Sequence, residues 1–208
     1  METKFRPITH IISNNTIRPL SIFEVVPDPP PPPVPVFDEV TIGTQTWMAA
    51  DLSIDDGQGG IYTANLSDVN GYDLGTVYYY THTAALRVAD SINGWHLPTN
   101  SEWQTLFQYI TNTYSESDPA SLRSTYAWNN DNNGTNIFGF NILPVGNYMY
   151  GTSMESIGSR TCYWAYEAGG WYGRYICMRF SEWTSDFANL ASNESDDFQF
   201  TVRLIKDN

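Results

Sequence analysis

The clearest hydrophobic pattern in the chain follows Thr99. Thr99 and Glu102 stand three positions apart, as in a capping box, where each side chain accepts a hydrogen bond from a backbone amide at the helix start. Beyond them, bulky apolar residues recur at three- and four-residue steps, namely Trp103, Leu106, Phe107, Ile110 and Tyr114. The pattern predicts an amphipathic helix that begins near Asn100 and covers a sheet with this apolar face.

Shorter patterns predict further elements before this helix. Residues 40–42 and 46–48 have strand-like sequence around a Gly43-Thr44 turn, and residues 75–80 predict another strand. A short helix is predicted for residues 83–90, with its buried face formed by Ala85, Val88 and Ala89. Residues 51–60 are predicted to be a loop.

A late segment, residues 161–180, predicts a β-hairpin. Gly169-Gly170 suits a tight two-residue turn, which would place Cys162 opposite Cys177, Trp164 opposite Tyr175 and Ala165 opposite Arg174. Because strand side chains alternate between faces, one face is expected to be buried: Cys162, Trp164, Tyr175 and Cys177. The other face is expected to be exposed, together with the tip residues Tyr166 and Trp171: Tyr163, Ala165, Glu167, Tyr172, Arg174 and Ile176.

The chain divides into three parts by composition. Residues 1–26 contain short apolar runs that predict two short strands, too little to form a core alone, so we expect an attachment or oligomerisation arm. Residues 27–37 are proline-rich and predict a stiff polyproline II linker. Residues 38–208 form the main domain.

Tryptophans are expected to organise the core of the main domain. Pro98 restricts the preceding residue to an extended backbone, which holds residues 95–97 beside the first turn of the main helix. His96 in this segment is predicted to be a hydrogen-bonded structural histidine. The predicted core residues are Trp47, Trp95, Leu97, Trp103, Leu106, Phe107 and Trp164.

Charge and hydropathy exclude several classes of partner. The formal net charge is −13 and no cluster of Lys and Arg occurs, so nucleic acid is not expected as a partner. No apolar run is long enough for membrane insertion. The first residues do not resemble a secretion signal, so we expect cytoplasmic synthesis without export, unless a leader has been removed.

Four sequence blocks together resemble a known family. They are residues 40–52 (VTIGTQTWMAADL), Gly94-Trp-His-Leu-Pro98 followed by Glu102-Trp103, residues 138–146 (FGFNILPVG) and residues 200–207 (FTVRLIKD). In this order they resemble the Fibrobacter succinogenes major paralogous domain family. The resemblance implies an α+β, C-type-lectin-like fold, which formylglycine-generating enzymes and the variable proteins of diversity-generating retroelements share.

The resemblance also implies a place for a binding site. Lectin-like variable proteins present their diversified residues on a late hairpin and on the segment after it. Tyr and Trp supply contact area at low entropic cost, and Asn and Ser supply hydrogen bonds. The candidate ligand-binding residues are Tyr166, Glu167, Trp171, Tyr172, Arg174, Trp183, Ser185, Asp186 and Asn189. The alternative is that these aromatic side chains serve cross-strand packing.

Motifs for catalysis and cofactors are not apparent. Cys162 and Cys177 lack the close spacing of the cysteine pair in formylglycine-generating enzymes, and no zinc motif, phosphate loop or nucleophile elbow occurs, so no enzyme, cofactor or metal is predicted. The two cysteines fit either a cross-strand disulfide or free buried thiols, and cytosolic assembly favours thiols. Residues 128–136 are rich in Asn and Asp, which suits calcium, but turn formation is the favoured interpretation.

These observations predict a ligand-binding head. The favoured hypothesis is a bacteriophage tail-tip or tail-fibre protein, with diversification by a retroelement as one variant, that recognises a bacterial surface glycan or outer-membrane protein. It would reside in the virion after cytoplasmic assembly, attach through residues 1–36 and form a homo-oligomer, with a trimer as the expected state. The alternatives are a bacterial cell-surface or fimbria-associated adhesin and a purely structural virion cap.

Overall fold

The computed structural model describes residues 35–114, 119–149, 152–166 and 197–207, and the backbone of strands at residues 5–7, 23–25, 174–179 and 183–184. The chain forms two compact units, Met1–Val34 and Pro35–Asn208. In the first unit, strand β1 (Phe5–Pro7) pairs antiparallel with β2 (Phe23–Val25). Two short strands were expected in this segment, and the described residues contain two. The proline tract up to residue 34 lies outside the described residues.

The described part of the second unit mixes two α-helices with short strands, so the fold is α+β. Its first part contains β3 (Glu39–Ile42), β4 (Gln45–Met48), β5 (Ile61–Asn65), β6 (Thr76–Tyr80), α1 (His82–Asp90), β7 (Trp95–His96) and α2 (Asn100–Tyr114). Its second part contains β8 (Asn147–Met149), β9 (Ser153–Glu155), β10 (Arg160–Ala165), β11 (Arg174–Arg179), β12 (Trp183–Thr184), β13 (Phe198–Gln199) and β14 (Ile205–Lys206). Short 3-10 turns occur at Pro119–Ser121 and Asn129–Asp131.

The described strands of the second unit form four small sheets. Their strand orders are β3-β4-β14-β7, β5-β6, β13-β8-β9 and β10-β11-β12. The C-terminal strand β14 lies inside the first sheet, where Ile205 is opposite both Trp47 and His96. The end of the chain thus joins the first hairpin of the domain to the segment that precedes α2.

Helix α2 begins at Asn100, as predicted. The Glu102 backbone amide donates to Thr99 Oγ1 at 3.2 Å, and the Thr99 amide donates to Glu102 Oε2 at 2.7 Å, which completes the capping box. Its buried face consists of Trp103, Leu106 and Ile110. The predicted face was one residue too long, because Tyr114 is 44% exposed at the C-terminal end.

Most of the predicted core residues are buried. Trp47, Trp103, Leu106 and Trp164 have no exposed surface, while Trp95 and Leu97 keep less than a tenth of theirs. Phe107 is half-buried and packs against the cluster that contains Trp103. The helix predicted for residues 83–90 is α1, which starts one residue earlier because Thr81 accepts a hydrogen bond from the amide of Ala84 as its N-cap.

Candidate functional site

The hairpin predicted near the end of the chain is present with the predicted register. In the antiparallel pair β10 and β11, Cys162 lies opposite Cys177, Trp164 opposite Tyr175, and Ala165 opposite Arg174. Strand β12 extends this sheet, with Trp183 opposite Met178. This is the register that the sequence predicted from a two-residue turn at Gly169-Gly170, which itself lies outside the described residues.

The expected burial of the hairpin faces was wrong for strand β10. Cys162 and Trp164 pack in a hydrophobic cluster with α1, as expected of the buried face. Tyr163 and Ala165, which we expected to be exposed, are also fully buried, in the cluster around Trp47 and Trp103. Strand β10 therefore lies between two parts of the core and has no solvent-facing side.

Hydrogen bonds fix the buried side chains of β10. Tyr163 OH donates to Asp51 Oδ1 at 3.0 Å, and Trp164 Nε1 donates to the Tyr80 carbonyl at 2.6 Å. Burial raises the pKa of the Tyr163 phenol well above its ordinary value, and the nearby Asp51 carboxylate raises it further. Tyr163 is thus a neutral donor throughout the physiological pH range.

The cysteine of β10 is oxidised. Cys162 is disulfide-bonded and buried, and the backbone of the chain's other cysteine, Cys177, lies directly opposite on β11. Of the two alternatives that the sequence left open, the structure therefore has the disulfide and not the free thiols.

Strand β10 leaves the core at Tyr166. The Tyr166 amide donates to the Pro98 carbonyl at 2.8 Å, and the Tyr166 carbonyl accepts a long bond of 3.4 Å from the Asn100 amide. Its side chain is 39% exposed. The first residue of the predicted contact surface is thus anchored by its backbone to the start of α2 while its ring contacts solvent.

The remaining candidate ligand-binding residues are only partly covered by the structure. Arg174 is the first residue of β11 and Trp183 the first residue of β12, described as backbone. Outside the described residues lie Glu167, Trp171, Tyr172, Ser185, Asp186 and Asn189. The structure therefore places one candidate side chain, that of Tyr166, in solvent.

In the Asn- and Asp-rich loop after α2, side-chain hydrogen bonds and positive φ angles form turns. Asn133 Oδ1 accepts a hydrogen bond from the Trp128 amide at 3.1 Å, and Asn130 and Asp131 have positive φ angles of 57° and 56°. Within the described ranges, no three His, Cys, Asp or Glu side chains lie together in an arrangement that holds a metal ion.

No helix in the described part of the chain has the length and apolar character needed to span a bilayer.

Comparison with known families connects this architecture to one of them. A family model described as the Fibrobacter succinogenes major domain matches residues 40–206. The chain belongs to this family. The matched range begins in β3, ends in β14 and contains the whole hairpin, so the family domain is the second structural unit without its first few residues. Comparison with curated proteins and with solved structures gave no match.

Within the Fibrobacter succinogenes major domain, His96 is a structural residue, as predicted. Its Nδ1 lies 2.6 Å from Asp207 Oδ1, and its Nε2 lies 2.9 Å from Glu102 Oε1. Partial burial alone lowers the pKa of His96, but the hydrogen bonds to Asp207 and Glu102 outweigh it, so the pKa lies above its usual value. The imidazole connects strand β7 to the start of α2 and to the C-terminal tail.

Sequence reasoning missed a buried ion pair in this domain. Arg203 is 1% exposed, and its Nε donates to Asp51 Oδ1 at 2.9 Å, while its Nη1 donates to the Phe140 carbonyl. Its guanidinium also lies over the Phe140 ring, 4.5 Å from the centroid. The sequence feature that could have revealed this pair is Arg203, which stands between the apolar residues Val202 and Leu204 near the end of the domain. An arginine that is buried requires an acidic partner.

Proposed function

We propose that this protein is a ligand-binding head with a C-type-lectin-like fold, whose contact surface is the tip of the β10–β11 hairpin and the segment after it. The observation that carries the proposal is the course of β10. The strand is buried on both faces, holds a disulfide-bonded cysteine, and then ends at the exposed Tyr166.

A binding loop benefits from such a base for a physical reason. Ordering a flexible loop on binding costs conformational entropy, and a base that is fixed before binding reduces this cost. Trp164 and Tyr163 lock opposite faces of β10, and the disulfide at Cys162 holds the partner strand. The residues beyond this base, 166–189, include three Tyr and two Trp together with two Ser and one Asn, side chains typical of adaptable binding surfaces.

The proposed ligand is a bacterial surface glycan or an outer-membrane protein. The carrier expected from the sequence is a phage tail tip or tail fibre, to which residues 1–36 would attach the head, in a homo-oligomer. The resemblance of the hairpin to the variable region of retroelement-diversified proteins supports this carrier. A reverse-transcriptase gene nearby, and a near-repeat of the region that encodes residues 160–195, would support it further, whereas a locus without phage structural genes would count against it.

A second candidate is a bacterial cell-surface or fimbria-associated adhesin, and the disulfide at Cys162 is compatible with it. Disulfides persist in the periplasm, at cell surfaces and on virions, and they are rare in proteins that remain in the reducing cytosol. The disulfide therefore fits the adhesin and the virion protein alike, and the location of the protein separates the two candidates. Detection of the protein on intact bacterial cells would support the adhesin, and its co-purification with phage particles would support the virion protein.

Binding to glycan and outer-membrane-protein arrays tests the contact surface. We expect the wild-type chain to bind at least one ligand, and the Trp171→Ala, Tyr172→Ala double variant and Tyr166→Ala to weaken that binding. Tyr72→Ala is the matched control, because Tyr72 is 45% exposed but lies on a loop between β5 and β6. Binding that survives the double variant would show that the surface is misplaced, and a wild-type chain without any ligand would favour the structural cap.

A further inference from the structure

A cleft away from the hairpin tip has features of a second binding site. It has a volume of about 160 Å³ and is lined by the segment after β4, by β6 and its approach, and by the segment before β8. Its rim includes the exposed residues Ser53 and Thr76, and its lining also includes the buried side chains of Leu52, Val145 and Arg203. None of the lining residues that the structure describes belongs to the proposed hairpin surface.

Asp51 in this cleft has one carboxylate oxygen, Oδ1, in hydrogen bonds and a second, Oδ2, without a donor among the described residues. Oδ1 accepts hydrogen bonds from Nε and Nη2 of Arg203 and from the hydroxyl of Tyr163. Among the residues that the structure describes, none donates to Oδ2, and the Asp51 side chain keeps 17% of its surface exposed. The three hydrogen bonds to Oδ1 fix the orientation of the carboxylate. Oδ2 therefore remains as a strong hydrogen-bond acceptor in the cleft.

The charges in the cleft select against an ionic ligand. Asp51 and Arg203 form an ion pair, so their formal charges cancel. A charged ligand would lose its hydration on entry without a net opposite charge to compensate for the loss. A neutral ligand with hydroxyl donors avoids this cost.

The rest of the lining suits the same class of ligand. Ser53 and Thr76 carry hydroxyls, and Asn141 carries an amide, so the cleft offers both donors and acceptors around the Asp51 oxygen. Aliphatic side chains such as Leu74 form the remaining wall and suit the C–H surface of a small ring. The volume lies below the roughly 300–1,000 Å³ of pockets for drug-sized ligands, which limits the ligand to a small molecule.

We propose that this cleft binds a small, neutral, polyhydroxylated molecule, such as a single hexose unit or a hexitol, with Asp51 Oδ2 accepting from one of its hydroxyls. The site is independent of the hairpin surface, and the two proposals stand or fall separately.

Ligand-observed NMR titration of the full chain tests the proposal. The probes are a panel of neutral hexoses and hexitols, with methylammonium and acetate as charged comparisons. We expect saturable binding of at least one neutral probe and no saturable binding of the charged ones. Thr76→Val removes one hydroxyl at nearly constant shape and is expected to weaken binding about fivefold, the effect of one neutral hydrogen bond. Leu74→Trp fills the cleft and is expected to abolish binding.

Thr63→Val is the matched control for Thr76→Val. Thr63 is an exposed threonine on β5, the strand paired with β6, and it does not line the cleft, so its replacement should leave binding unchanged. If Leu74→Trp fails to fold, the titration of Thr76→Val alone tests whether the probe binds in this cleft. The proposal is overturned if no neutral probe saturates, if a charged probe binds in its place, or if Thr76→Val binds like the wild type. The Trp171→Ala, Tyr172→Ala variant should retain this binding, and its loss there would assign the signal to the hairpin.

Discussion

The indole rings of Trp47 and Trp103 lie 4.6 Å apart, with no exposed surface on either side chain. Trp47 belongs to β4 in the first hairpin of the domain, and Trp103 lies in the first turn of α2. The Phe140 ring meets Trp47 nearly edge-on at 5.7 Å. This contact is where the main helix covers the sheet that contains both ends of the domain.

Removing one partner of this contact should destabilise the whole domain. We expect Trp103→Ala to lower the free energy of unfolding by about 3–5 kcal/mol, because it removes a large buried ring and leaves a cavity. Denaturant unfolding followed by circular dichroism measures the loss. Tyr114→Ala on the same helix is the control, with a smaller expected loss of about 1 kcal/mol, because Tyr114 is 44% exposed and its ring contacts Phe138 at the edge of the core. Equal losses in the two variants would contradict the assignment of the buried face.

The Asp51–Arg203 pair should behave as a coupled unit. Asp51→Ala leaves the 1% exposed guanidinium without its counter-charge, so we expect a loss of about 3–5 kcal/mol in unfolding free energy. The double variant Asp51→Leu, Arg203→Met removes both charges and should recover most of that loss. Thermal or denaturant unfolding of the single and double variants forms the cycle, and a double variant no more stable than Asp51→Ala would refute the coupling.

The contribution of His96 should depend on pH with a defined sign. Because its folded pKa is raised, the protonated imidazole stabilises the fold fully below the unfolded value of 6.5, and this stabilisation is lost as the pH rises through the folded pKa. The effect is expected to be small, since the side chain is 37% exposed and its ion pairs are screened.

Unfolding free energies of the wild type and His96→Gln between about pH 5 and pH 9 test this sign. The advantage of the wild type should shrink as the pH increases across the titration of the imidazole. An advantage that grows with pH would mean that the pKa of His96 is lowered in the folded state.

The disulfide should stabilise the domain by restricting its unfolded chain. For a loop as short as that between the two cysteines, we expect reduction to cost about 3 kcal/mol. Thermal unfolding with and without a reducing agent measures the difference, with thiol titration to establish that reduction is complete. Cys162→Ala has no disulfide to lose, so its stability should not respond to the reducing agent. A fully reduced wild type with unchanged stability would contradict the prediction.

The sequence by itself determined the elements whose signals are local. The Thr99–Glu102 capping box placed the start of α2, since both hydrogen bonds form within one turn. The Gly169-Gly170 dipeptide predicted the register of β10 and β11 correctly, because a hairpin of assumed loop length has one pairing. Both signals involve residues that are close in the chain.

Only the tertiary structure decided what covers each element. Alternation along β10 assigned Tyr163 and Ala165 to one face correctly, but it could not reveal that a second part of the core, around Trp47, packs on that face. Strand β5 was missed for a related reason, since its outward side chains are exposed and its pattern is weak. The Asp51–Arg203 pair joins residues 152 positions apart, and no local pattern specifies such a partner. Burial on both sides of a strand, and the pairing of distant charges, depend on which layers meet in space, and periodicity along one segment carries no information about that.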